Sequence, residues 1–283
     1  MAGTLYIVGT PIGNLEDVTM RALRVLREVD LIAAEDTRRT ARLLQHYSIA
    51  TPTTSLHEHN ERGKSAHLIA RLEAGASIAL VSDAGMPLVS DPGAWLVTSA
   101  RTAGIPVQVV PGPSAITAAL AGAGLSGPFA FLGFPPATGR GRKDWLQSLG
   151  HMAIQSPVVF FESPHRMART VSEMLELLGD RPIIVARELT KIHESLVEQP
   201  MSAWVDAHSD ATTEKGEFVI IVPALPVGQE TRLEAPNDAA ILNELGDLTN
   251  NAGMKPRAAA KALAEKYQMT ADAIYALHSR QDK

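Results

Sequence analysis

Glu35-Asp36-Thr37-Arg38 stands directly after the apolar run 30–34. Two adjacent carboxylates can accept a proton, and an arginine two residues on can hold a phosphate. The same residues also read as a helix N-terminus, where the helix dipole favours acids. Lys191, beyond the apolar run 183–186, is a third group suited to acid–base work. Other cations cluster locally. Arg39 and Arg42 share one helical face after the acidic pair. The run from Gly139 to Lys143, with Arg140 and Arg142, reads as a mobile basic loop able to clamp a nucleic-acid backbone. Arg166 is a further phosphate ligand by type. Each of these groups equally suits a solvated surface. His57 and His59 have no third ligand beside them and the chain has no cysteine, so a solvated loop is the better reading and no metal is expected.

Such side chains need strand ends to hold them. Strand-like apolar runs at 5–8, 30–34, 78–81, 107–110, 129–132, 158–161, 183–186 and 218–222 alternate with helix-period segments. Those segments fall at 19–29, 39–47, 62–74, 94–103, 115–121, 143–149, 164–178 and 201–207. This alternation predicts an α/β protein whose parallel sheets are flanked by helices. A turn-rich stretch at 122–128 suggests two α/β domains, 1–122 and 123–226. A polar linker at 227–236 leads to a helical appendage at 237–283, with helical patterns at 238–248, 256–267 and 271–278. Thr270 is a natural N-cap there, and the pattern resembles a helix-turn-helix. The appendage suits a simple cap as well as a nucleic-acid contact. In open α/β sheets the ligand crevice lies outside the carboxyl ends of the strands. At two such ends this chain breaks into glycine and proline, as Ser82-Asp-Ala-Gly-Met-Pro87 and as Pro111-Gly-Pro-Ser114. Backbone of that kind can lie close against a small ligand.

The 283 residues are 45% hydrophobic and 20% charged, enough for more than one domain. The formal charge of −5 gives no global field for nucleic acid, so any basic patch is local. No apolar run approaches the roughly 20 residues that span a bilayer. No basic, cleavable leader is expected before residues 5–8. A cytoplasmic protein is expected. Three motifs fail. Gly63-Lys-Ser65 lacks the upstream glycine of a phosphate-binding loop, since position 58 is Glu58. No G-x-G-x-x-G follows the first strand. Ile116 replaces the second glycine of a nucleophile elbow around Ser114.

Several motifs in order resemble the tetrapyrrole-methylase superfamily. They are Val8-Gly-Thr-Pro-Ile-Gly-Asn14, the run from Ser82 to Gly93, Val110-Pro-Gly-Pro-Ser114, and Lys215-Gly-Glu-Phe218. Ala34-Glu-Asp-Thr-Arg38 and Phe161-Glu-Ser-Pro-His-Arg166 look like the branch that methylates the ribose 2′-oxygen of a cytidine in small-subunit ribosomal RNA. The resemblance covers about residues 3–224, and the C-terminal helices fit the same branch. It implies two α/β domains with a cleft between them, S-adenosylmethionine in that cleft, a homodimer, and ribosomal RNA or the small subunit as partner. It places Pro11, Ile12 and Gly13 beside the methionine moiety or the substrate entrance. Ala84, Gly85 and Val89 give backbone contacts. Met86 stands where the superfamily carries an acid, and Asp83 is close enough to substitute. Ser114 and Ala115 meet the cofactor carboxylate at a helix N-terminus. Phe161, Glu162, Arg187, Gly216, Glu217 and Phe218 lie toward adenine and ribose.

Methyl transfer from a sulfonium already has a good leaving group, so alignment does much of the work. A ribose hydroxyl is a weak nucleophile and gains from a base. Asp36 or Glu35 is expected to be the acceptor, with Lys191 close by. Arg38, Arg39, Arg42, Arg140, Arg142, Lys143 and Arg166 are expected to meet RNA. Two other readings compete. One is a methyltransferase acting on a tetrapyrrole or another small molecule. The other is a regulator reading nucleic acid through residues 256–278. Methyl transfer to precorrin-type rings tests the first, and truncation on either side of residue 226, with donor and RNA binding measured, separates enzyme from regulator.

Overall fold

The computed structural model describes residues 2–208, 216–225, 238–251, 254–267, 270, 271, 273–275 and 277. Its first strands and helices are β1 (Leu5–Val8), α1 (Met20–Glu28), β2 (Leu31–Ala34), α2 (Thr37–His46), β3 (Thr53–Ser55), α3 (Glu61–Glu73), β4 (Ile78–Val81), α4 (Ala94–Thr102), β5 (Val107–Val110) and α5 (Ala115–Gly122). The strands make one all-parallel sheet in the order β3-β2-β4-β1-β5.

Strand alternation explains how both faces of this sheet are filled. Ile32 and Ala34 face the layer of α1 and α2, where they meet Leu23, Leu26, Leu43 and Leu44. Leu31 and Ala33 face the opposite layer, with Leu68 and Leu72 of α3 and Leu96 of α4. Covered on both faces, β2 and β4 are apolar at every position. Thr19 starts α1 by accepting a hydrogen bond from the Ala22 amide at 3.0 Å.

The second sheet contains β6 (Ala130–Phe131), β7 (Val158–Glu162), β8 (Pro182–Arg187), β9 (Ser195–Pro200) and β10 (Phe218–Val222), in the order β6-β7-β10-β8-β9. Its helices are α6 (Gly139–Gln155), α7 (Pro164–Leu178) and α8 (Met201–His208). The expectation of parallel strands fails here. Only β6 and β7 are parallel; β10 runs antiparallel to β7 and β8, and β8 to β9. The cause is local. β8 turns straight back into β9 with no helix between, and a short reversal can join only antiparallel strands. The sequence hid β9 because it is an edge strand with a largely polar, exposed surface. It hid β3 because Thr53-Thr54-Ser55 contains no apolar residue. The basic run from Gly139 is also corrected: it is the first turn of α6, not a loop.

α5 follows the last strand of the first sheet yet packs on the second. Its Ile116, Ala119 and Leu120 meet Val159, Ile184, Ala186, Val219 and Ile221. Met1–Ala224, holding both sheets, is accordingly one compact unit. Leu225–Lys283 is another, in which α9 (Asp238–Gly246) and α10 (Pro256–Tyr267) share a small core of Ile241, Leu245, Ala259, Leu263 and Ile274. Thr270 accepts from the Ala273 amide at 3.2 Å. The expected linker at 227–236 lies outside the described residues, as do 268, 269, 272, 276 and 278 of the expected last turn and helix.

The turns after β1 and β5 touch backbone to backbone. A Cβ added to Gly9 would lie 2.7 Å from Gly112 Cα, and one added to Gly112 would lie 2.9 Å from the Gly9 backbone. Gly9→Ala is therefore expected to cost about 1–3 kcal/mol in chemical denaturation, as overpacking does. Gly63→Ala, inside α3 with open space around it, is expected to raise stability by about 0.5–1 kcal/mol.

Candidate active site

Beyond the carboxyl ends of β1, β4 and β5 the chain must turn without filling the space in front of it. The Thr10 amide donates to the Gly85 carbonyl at 2.9 Å, and the Gly85 amide returns a bond to Thr10 at 3.1 Å. The Thr10 hydroxyl donates to the Ser82 carbonyl at 3.2 Å. Gly85 holds φ +80°, a conformation that favours glycine. These bonds knit the first and second glycine turns together.

A cavity of about 460 Å³ opens in front of them. Ile12, Ala84, Met86, Val89, Ser114 and Ala115 line it from the first sheet; Phe134, Phe161, Leu189, Gly216 and Phe218 line it from the second. That volume lies within the roughly 300–1,000 Å³ of small-molecule sites. Ser114, the N-cap of α5, makes no side-chain capping bond, so its hydroxyl and the first α5 amides face a site suited to an anion.

Of the residues expected to hold the cofactor, Ile12, Asp83, Ala84, Gly85, Met86, Val89, Ser114, Ala115, Phe161, Glu162, Gly216, Glu217 and Phe218 line this cavity. Pro11, Gly13 and Arg187 do not. Pro11 is buried behind the turn. Gly13 is covered by Lys191, whose Cγ would lie 2.7 Å from an added Cβ. The Arg187 guanidinium lies 5.5 Å from the centre of the Phe218 ring.

The acid pair separates by environment. Asp36 caps α2: its carboxylate accepts the Arg38 amide at 2.8 Å and grips the Arg38 guanidinium at 3.1 and 2.8 Å. These bonds from Arg38 hold its carboxyl far below the usual range, which makes Asp36 a weak base. Glu35 instead faces the cavity, and burial raises its pKa. Lys191 is held in an ion-pair cluster. Burial alone would push its ammonium pKa down, but bonds to Glu188 at 2.9 Å and Glu217 at 3.1 Å push it higher than usual, so it stays charged. Asp91 completes the acidic wall. Burial and the charges of Glu35 and Asp83 push its carboxyl up to about 6.

Sequence reasoning missed Asp91, although it sits inside the Ser82–Gly93 motif; a carboxylate between strand end and helix start was the available signal. Phe134 and Leu189 had none, because loops from the second sheet bring them in.

The arginines divide too. Arg38 keeps a largely exposed side chain, while Arg39 lines the cavity and pairs with Asp83 at 3.4 Å. Arg42 and Lys143 are exposed, and Arg140 is solvated beside Asp144. Arg142 is buried, 3% exposed, donating to Glu173 at 2.7 Å, the Thr170 hydroxyl at 2.8 Å and the Pro136 carbonyl at 3.0 Å. Arg166 donates to Glu162 at 2.8 Å and to the Pro135 carbonyl at 3.1 Å. Arg142 and Arg166 are thus engaged within the protein, by the part-buried Glu173, the buried Glu162 and the carbonyls of 135–136.

Residues 4–203 match the family model of tetrapyrrole (corrin/porphyrin) methylases. The ribosomal RNA small subunit methyltransferase I of Vibrio cholerae is 45% identical over 279 residues, 97% of this chain and 93% of that protein. The protein of the same name from Pseudomonas aeruginosa is 46% identical over 235 residues, 81% of this chain and 83% of its own. Among solved structures, native uroporphyrin III C-methyl transferase from Thermus thermophilus superposes with TM-score 0.57 at 22% identity, covering 77% of this chain and 97% of that one. A further structure of that Thermus protein, complexed with S-adenosyl homocysteine, gives 0.56 at 21%, again covering 77% and 97%. The chain belongs to the tetrapyrrole methylase family of methyltransferases, in the branch of the ribosomal RNA small subunit methyltransferase I relatives. Among the described residues no helix is long and apolar enough to cross a membrane.

Arg142→Ala is expected to destabilise the protein by about 1–3 kcal/mol, because the buried Thr170 hydroxyl and the Pro136 carbonyl lose their donor while Arg169 still holds Glu173. Arg140→Ala is expected to change stability by less than about 0.5 kcal/mol. Urea titrations of the two variants check both.

Proposed function

We propose that this protein methylates the ribose 2′-oxygen of a cytidine in small-subunit ribosomal RNA, using S-adenosylmethionine. The cavity between the two sheets carries the reading. It combines apolar walls, an uncapped helix start and an acidic face, which suits a ligand with a carboxylate at one point and positive charge at another. The names of relatives alike over nearly the whole chain support ribosomal RNA as substrate. The two α/β domains, 1–122 and 123–226, enclose the donor. Ser114 and Ala115 hold its carboxylate, and Asp83 with the glycine turns holds its methionine moiety. Phe161, Phe218, Gly216 and Glu217 form the opposite wall, toward adenine. When bound, S-adenosylmethionine supplies a methyl group on a sulfonium, ready for displacement.

The chain's own residues do the rest. Glu35 takes the proton from the attacking hydroxyl, since it faces the cavity and Asp36 is spent on Arg38. Arg39, held by Asp83 at the cavity wall, and Arg38 and Arg42 meet phosphates. The protein works in the cytoplasm as a homodimer. Support for a second copy is the edge strand β5, whose Gln108 and Val109 are exposed.

The test is transfer of labelled methyl to small subunits from cells lacking this gene, with the product nucleoside identified by mass spectrometry. Failure of wild type to label RNA sinks the reading. Glu35→Gln is expected to lower kcat by roughly 10²–10⁴-fold. Donor affinity by calorimetry should stay within a few-fold. A base acts above its pKa, and burial raises that of Glu35, so activity should fall toward acid pH; beside it Asp91 regains its proton at about 6. Asp91→Asn should move that limb to lower pH.

A further inference from the structure

One large aromatic ring near this site has no place in the reading above. From β4 the chain passes through a strained segment in which Leu88 and Ser90 hold φ +73° and +68°. It enters α4 at Gly93. Trp95 stands in the first turn of that helix, four residues beyond the cavity-lining Asp91. The residue is 49% exposed. By contrast, Trp204 is buried in the core of the second sheet and Trp145 packs against that core with its indole bonded to the Leu132 carbonyl.

Trp95 is nonetheless firmly mounted. Glu61, the first residue of α3, accepts the Gly93 amide at 3.1 Å and the Trp95 amide at 2.6 Å. The next residue, Arg62, places its guanidinium 5.1 Å from the centre of the indole. An indole on a fixed backbone, with a cation over it and the residue about half exposed, can stack another planar group. Single-stranded RNA is held in this way, its unpaired bases laid on aromatic rings and arginine planes. The charge around the ring agrees. α2 begins beyond β2, the strand beside β4, and there Arg38 is exposed and Arg39 lines the cavity. Glu61, next to Arg62 in sequence, is occupied by the α4 amides.

We infer that Trp95 and Arg62 form a stacking platform for an unpaired RNA base neighbouring the nucleotide whose hydroxyl enters the cavity. The inference rests on the RNA reading above. Its test compares Trp95→Ala, Trp95→Phe and Arg62→Ala with wild type, using small subunits from cells lacking the gene and protein-free small-subunit RNA. Trp95→Ala should raise KM for the subunits and weaken RNA binding by roughly 5- to 150-fold. Trp95→Phe should recover most of that loss, and Arg62→Ala should lose a smaller part. Melting temperature and calorimetric affinity for S-adenosylmethionine should not change in any variant. RNA should also shield the wild-type tryptophan fluorescence from acrylamide, and Trp95→Ala should abolish that shielding. Unchanged KM and RNA affinity in Trp95→Ala overturn the platform. So does a loss confined to intact subunits with RNA affinity kept, which would make the partner a ribosomal protein. If wild type labels no RNA, the reading beneath fails first, in the control.

Discussion

The close approach of Gly9 to Gly112 is the constraint on which the rest of the site depends. β1 lies between β4 and β5, so the three turns beyond these strands compete for one space. Any side chain at either glycine would push two of them apart. With the first turn also paired through Thr10 to Gly85, all three strand ends become one rigid rim. Backbone built this tightly leaves room in front of it, and the cavity is that room. α5 then starts from the same rim and packs on the other sheet, so one short helix sets the distance across the cavity.

The two walls differ in electrostatic character. On the second-sheet wall Glu162 is 2% exposed, and both its oxygens are bound, by Ser163 and Arg166 on one side and Thr170 on the other. Arg142 extends that network to Glu173. A buried polar network so fully bonded is rigid. On the first-sheet wall Glu35, Asp83 and Asp91 share a half-buried space with one arginine, Arg39. Burial, with like charges beside it, raises the carboxyl pKa values of Glu35 and Asp91. The second-sheet wall is therefore rigid, and the first-sheet wall holds the two carboxyls with raised pKa values.

Most strands and helices were legible because their apolar residues are periodic and their turns carry glycine and proline. β3 and β9 were not, since edge strands need no apolar pattern when neighbours on one side supply the pairing. Most of the cavity's first-sheet lining was legible for a related reason: the residues cluster at strand ends that the sequence marks. Phe134 and Leu189 come from far along the chain, and their place follows only from how the second sheet folds. The arginines were the least legible. Arg140 and Arg142 stand two residues apart in one basic run, yet one is solvated and the other buried against Glu173.

By itself the sequence determined the alternation of strands and helices, the glycine turns at the strand ends and the family to which the chain belongs. Those depend on local periodicity and on backbone conformations that few residues adopt. Tertiary structure alone decided that the second sheet is mixed, that Glu35 rather than Asp36 faces the cavity, and that Arg142 and Arg166 are bound within the protein. Those outcomes depend on desolvation and on partners distant in the chain, and neither can be read from a residue's type.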